Sequence, residues 1–249
     1  MNTRIVACIF CGVLVCAATS KADVIIAVDV GTAGSPVQPG FLPWNLGGIG
    51  GSITNPSNGV SITMPSADAF QGNRDRGAGG VLTGSPIAAL LQDFAHSSGA
   101  AGNVPSMTLV VSGLLPNTDY KVSLFAFDRT DNNGRGTTWY PGTNSSGVPI
   151  VSLFNNTSSP PLGPIFSKVF NTGAGTTLSF FGLGDPSVQG PPFAGTTNTA
   201  SVVLFNGLIV ETVIPEPASL TIWSVVSLVG AGAAWLRRKK SAASSGLAA

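Results

Sequence analysis

Between residues 24 and 211 short β-branched and apolar runs alternate with stretches rich in Gly, Pro, Ser, Thr and Asn. That is the pattern of an all-β domain with many turns. The runs predict strands over Val24 to Val30, Val60 to Met64, Met107 to Ser112, Tyr120 to Asp128, Ile165 to Phe170, Thr176 to Leu183 and Ala200 to Glu211. Along the fourth run Tyr120, Val122, Leu124 and Ala126 share one face, because successive side chains of a strand point to opposite sides. Lys121 and Ser123 take the other face, which Phe125 and Phe127 mark as covered farther along.

One segment breaks the period of two. Ser85 is placed to cap a helix and Pro86 suits its first turn, while Ile87, Leu90, Leu91 and Phe94 recur at helical spacing. The expected helix packs this stripe on the core and ends near His96, which would cap its last carbonyls. Gln71 to Gly84, rich in glycine and carrying Arg74, Asp75 and Arg76, reads as a connection. The fold class predicted is a jelly roll or β-sandwich with one short helix.

The two ends have a different pattern. Arg4 precedes the apolar stretch Ile5 to Ala18, and Ser20-Lys21-Ala22 has small residues where a signal peptidase reads, so residues 1–22 are expected to be a removable signal peptide. Cys8, Cys11 and Cys16 all fall inside it, which removes disulfides and thiolate metal sites from the body. Val15 is larger than the residue that normally precedes a lipidated cysteine, which disfavours a lipoprotein signal at Cys16. At the other end, residues 218–236 form an uncharged run of 19 residues, long enough as a helix to cross a hydrocarbon layer of about 30 Å. Arg237, Arg238, Lys239 and Lys240 close it and predict a cytoplasmic side for residues 241–249.

Pro215-Glu216-Pro217, one span, a basic stop and a brief tail together resemble the PEP-CTERM sorting signal of bacterial envelope proteins, here over residues 214–240. The resemblance implies an exosortase as processing partner, a transient membrane anchor, and delivery to the cell surface or extracellular matrix.

The body, residues 23–213, carries six basic and ten acidic residues, although the whole chain is formally +1. A weakly acidic body with scattered cations argues against nucleic acid as partner. Leu114-x-Pro116-x-Thr118-x-Tyr120 resembles the tyrosine corner of fibronectin type III domains, which implies a buried ring whose hydroxyl bonds back to the turn. The ending Ser201 to Val210, where Asn206-Gly207 would make a hairpin turn or a bulge, taken with Val28-Asp29-Val30-Gly31, is similar to galactose-binding-like and malectin-like jelly rolls. In those folds the opening and closing strands lie side by side, and the resemblance implies non-catalytic binding of exopolysaccharide or envelope glycans.

Candidate chemistry is sparse. His96 is the only histidine, and no nucleophile elbow or zinc set is present. Asp119 and Asp128 are the carboxylates considered for glycoside hydrolysis, against a plainer role in turns and strand ends. Asp128, Asp131 and Asn133 belong to a polar loop whose oxygens suit calcium but lack the EF-hand spacing. Trp139 and Tyr140, read as a loop before Pro141, form with them the candidate sugar platform, with core packing expected for at least one ring. The function expected is a non-catalytic surface or matrix module that binds polysaccharide or envelope components. A glycan-active hydrolase and a self-associating structural protein are the alternatives.

Overall fold

The computed structural model describes residues 22–46, 51–67, 70–75, 84–98, 104–128, 136–154, 163–184 and 202–213, with 229, 230 and 232. Asp23–Val213 forms a unit of its own. The signal peptide, the Pro215-Glu216-Pro217 motif and the cluster Arg237 to Lys240 lie outside the described residues, as does all but three residues of the span 218–236. Among the described residues no helix is long and apolar enough to cross a membrane.

The unit is all-β and sandwich-like, with one short helix. Its strands are β1 (Val24–Gly31), β2 (Leu42–Asn45), β3 (Ser52–Thr54), β4 (Ser61–Ala67), β5 (Phe70–Asp75), β6 (Asp93–Ser98), β7 (Ser106–Ser112), β8 (Asp119–Phe125), β9 (Gly136–Pro141), β10 (Val151–Phe154), β11 (Phe166–Asn171), β12 (Thr177–Gly184), β13 (Val202–Phe205) and β14 (Gly207–Thr212). They form a five-stranded sheet ordered β11-β8-β14-β1-β2, a six-stranded sheet ordered β10-β9-β12-β7-β4-β3, and a three-stranded sheet ordered β13-β6-β5. The pair β1–β2 is parallel, and the other pairs described are antiparallel. Val28, Val122, Leu124 and Val210 from the first sheet share one apolar core with Ile62, Met64, Leu109, Val111 and Phe180 from the second.

The opening and closing strands do lie side by side, with Val28 opposite Leu208 and Asp29 opposite Gly207. The tyrosine corner forms as well. Tyr120 is buried, and its hydroxyl accepts the Leu115 amide at 2.9 Å. In the turn before it Asn117 takes a positive φ of 52°, which asparagine tolerates better than a branched residue would.

Two expectations are corrected. The helix, α1, spans only Ala88–Gln92 with Ile87 in the N-cap position, the Ser85 hydroxyl accepting the Ile87 amide at 3.4 Å just ahead of it, and gives way to extended backbone at Asp93. Five residues leave little internal bonding to hold a helix, whereas β6 gains antiparallel partners on both sides, β5 and β13. Phe94 and His96 therefore belong to a strand, His96 caps no helix, and part of the expected connection Gln71 to Gly84 is strand β5. Asn206-Gly207 makes no hairpin turn either. It is the joint at which the chain leaves the three-stranded sheet as β13 and enters the five-stranded sheet as β14.

Asn206 explains why that joint holds. The residue is fully buried, yet its Oδ1 accepts the Phe127 amide at 2.5 Å and its Nδ2 donates to the Asp93 carbonyl at 2.6 Å. Its own amide donates to the Phe125 carbonyl, and its carbonyl accepts the Val30 amide. One residue, through its side chain and its backbone, thus ties β1, β6 and the end of β8 together. Gly207 follows because a Cβ there would meet the Val28 carbonyl and lie 2.6 Å from Leu90 Cδ1.

Candidate functional site

The described residues of the sugar platform expected from the sequence fall in different places. Trp139 is on β9, fully buried in the shared core, and Gly182 makes room for its ring. Tyr140 lies on the other face of the same strand, half-buried and paired with Phe181. Asp128 is fully buried just beyond β8, while Asp131 and Asn133 lie outside the described residues. The hydrolytic pair separates too. Asp119 opens β8 and accepts a bond from Asn171, whereas Asp128 lies nine residues on, past the strand's other end. An extended strand rises about 3.3 Å per residue. That separation is far beyond the roughly 5–9.5 Å at which two carboxyl groups share a glycosidic bond.

A pocket is found where β1 turns toward β2. It has a volume of about 210 Å³ and is lined by Asp29, the loop from Gly31 to Val37, and Pro43, Trp44 and Asn45. Trp44 is buried and meets Phe205 edge to face at 6.1 Å between centroids, so the wall is fixed to the core. The loop is closed over Asp29: the Gln38 amide donates to Asp29 Oδ2 at 2.6 Å, and the Thr32 and Ser35 hydroxyls bond each other at 2.6 Å. The side chain of Gln38 donates in turn to the Pro86 carbonyl.

Behind Gly31 stand residues of β5 and β6. Asn73 Nδ2 donates to the Gly31 carbonyl at 2.7 Å, and Asp93 Oδ2 would lie 3.1 Å from a Cβ added at Gly31. Asp75 pairs with Asp93 across the strands and accepts a bond from Gln92. Four buried oxygens here have no hydrogen-bond partner among the described residues: Asp29 Oδ1, Asn73 Oδ1 and both oxygens of Asp93. Asp29 is only 3% exposed and Asp93 not at all.

Burial makes the charged form of both acids costly. It raises Asp29 to about 6, the Gln38 amide opposing. Asp93 is raised to about 7, first by burial, with Ser35 opposing and the neighbouring Asp75 and Asp29 adding to the rise. Among the described residues no group of three or more His, Cys, Asp and Glu side chains is arranged to hold a metal ion.

A carboxylate in the middle of an apolar strand was the available signal for this site. Asp29 sits between Val28 and Val30 at a position where charge is seldom buried without purpose. Asp93 carried no such signal because the helical spacing around it masked its strand. The chain matches no family model, and no curated protein matches it.

Proposed function

We propose that the protein is an exported bacterial surface or extracellular-matrix protein, sorted by an exosortase through its Pro-Glu-Pro tail. Its body is a jelly-roll module that binds polysaccharide or envelope glycan without catalysis. The observation that carries the binding reading is the pocket at the β1–β2 turn, where hydroxyl, amide and carboxylate groups line a cavity braced by the buried Trp44. At about 210 Å³ it is smaller than the roughly 300–1,000 Å³ pockets that enclose drug-sized ligands. It suits one polar unit of a longer chain. Carboxylate oxygens accept hydrogen bonds from hydroxyls strongly, and such bonds orient a sugar.

Two measurements test this reading. Residues 23–213 offered to an array of bacterial and plant polysaccharides should be retained on at least one, and retention should fall when Asn45 or Thr32 is replaced by alanine. Retention on none, with self-association in sedimentation, would instead favour the structural matrix protein. For the tail, mass spectrometry of surface-exposed protein should find an end near Pro217. An intact Arg237 to Lys240 end would contradict processing.

A further inference from the structure

We propose that the pocket beside Asp29 takes a primary ammonium group, and that the glycan recognised is therefore an amino sugar polymer with free amines. This rests on the glycan-binding reading and specifies its chemistry. Asp29 is nine-tenths buried and more, lines the cavity, and turns one oxygen to the Gln38 amide while the other has no partner among the described residues. Behind Gly31, just outside the lining, the other orphan atoms, Asn73 Oδ1 and the Asp93 oxygens, are acceptors as well. A site whose unmet demand is entirely for donors fits a ligand that brings several, and an ammonium brings three on one atom.

Charge agrees with the hydrogen-bond count. The acids gathered here are Asp29 on β1, Asp75 on β5 and Asp93 on β6. Arg74 is exposed and pairs with Phe94, which puts it on the opposite face of the β5–β6 ribbon from Asp75 and Asp93. His96, on that same opposite face, meets the Gly72 carbonyl through Nδ1. A calcium ion would draw on the same oxygens but takes six to eight ligands. Three acceptors are enough for an ammonium. Gly31 is the part of the lining that stands against Asp93, since a methyl group there would lie 3.1 Å from Asp93 Oδ2 and 3.4 Å from Ser35 Cβ.

Calorimetric titration of the purified protein at pH 7.5 with glucosamine oligomers, N-acetylglucosamine oligomers, glucose oligomers, methylammonium and calcium chloride tests the proposal. Glucosamine oligomers should bind at least tenfold more tightly than the acetylated or neutral ones, and the affinity should weaken tenfold or more at pH 5 as the acids take up protons. Asp29→Asn should abolish binding while the melting temperature at pH 7.5 holds or rises, which separates loss of the site from loss of the fold. Gly31→Ala should weaken binding with the fold intact. Equal binding of acetylated and free-amine oligomers would overturn the ammonium site and leave the glycan reading standing. Methylammonium binding with no oligomer bound would keep the ammonium site and sink the glycan reading. Calcium binding that Asp29→Asn removes would overturn the ammonium in favour of a metal, and no binding of any probe would overturn both readings.

Discussion

Asp93 stands at the boundary of two buried polar regions that differ in one respect. Its backbone carbonyl belongs to the Asn206 joint, where each polar atom of the asparagine side chain has a partner. Its side chain stands behind the pocket wall at Gly31, where oxygens of Asp29, Asn73 and Asp93 have none among the described residues. The Asn206, Asp29 and Asp93 side chains are buried to a similar degree. A satisfied buried amide fixes one arrangement of strands, whereas unsatisfied acceptors cost stability in the free protein. The joint therefore reads as architecture, and the pocket as a place prepared for something else.

If the joint is architecture, breaking it should have the largest effect. Asn206→Ala orphans the Phe127 amide and the Asp93 carbonyl, each at about 1–3 kcal/mol, so a loss of roughly 3 kcal/mol or more is expected in denaturant unfolding. Gly207→Ala probes the same joint by overpacking against the Val28 carbonyl and Leu90, and about 1–3 kcal/mol should be lost. A neutral outcome for both would place the hold on the sheets elsewhere.

The pocket should respond in the opposite sense. Asp29 and Asp93 have folded values raised to about 6 and about 7, from 3.8. The native state therefore holds their protons more tightly than the unfolded chain does. Their contribution to stability is complete below the unfolded value and is lost as pH rises through 6 and 7. The melting temperature should fall by something on the order of 5 °C between pH 5 and pH 8. Asp93→Asn should flatten that profile and raise the melting temperature at pH 8. A profile unchanged by the substitution would remove the distinction between the two regions. The smallest effect calibrates the scale: Tyr120→Phe deletes one satisfied bond, to the Leu115 amide, and should cost about 1 kcal/mol.

What could be read from the sequence depended on how far apart the determining contacts lie. The tyrosine corner was legible because Leu115 and Tyr120 are five residues apart and the proline turn joins them. The adjacency of β1 and β14 followed from a resemblance, not from spacing, since their partners lie about 180 positions apart in the chain. The stripe Ile87, Leu90, Leu91 and Phe94 fits a helix locally, and it is pairing of Phe94 with Arg74 of β5, with β13 bonded to the rest of β6 more than a hundred residues later, that makes Phe94 part of a strand. Thr137-Thr138-Trp139-Tyr140 has β-branched and aromatic residues suited to a strand, but Pro141 after them suggested a loop. Asp29 was visible as an oddity within an apolar run, and its meaning needed Gln38 and Asp93, which the fold supplies.

The pairing of β1 with β14 has a mechanical consequence. The chain leaves the body at Val213 beside Asp23, where the Thr212 amide bonds the Asp23 carbonyl at 3.0 Å, while the pocket opens at the other end of β1. A pull between an occupied pocket and an attachment beyond Val213 would run lengthwise along β1 and β14. Antiparallel ladder bonds lie across the strands, so such a load shears many of them at once and does not open them one after another. With β8 bonded to the far side of β14, the load is shared over a second ladder. A module held at these two points would resist being torn from a surface by flow far better than its equilibrium stability suggests.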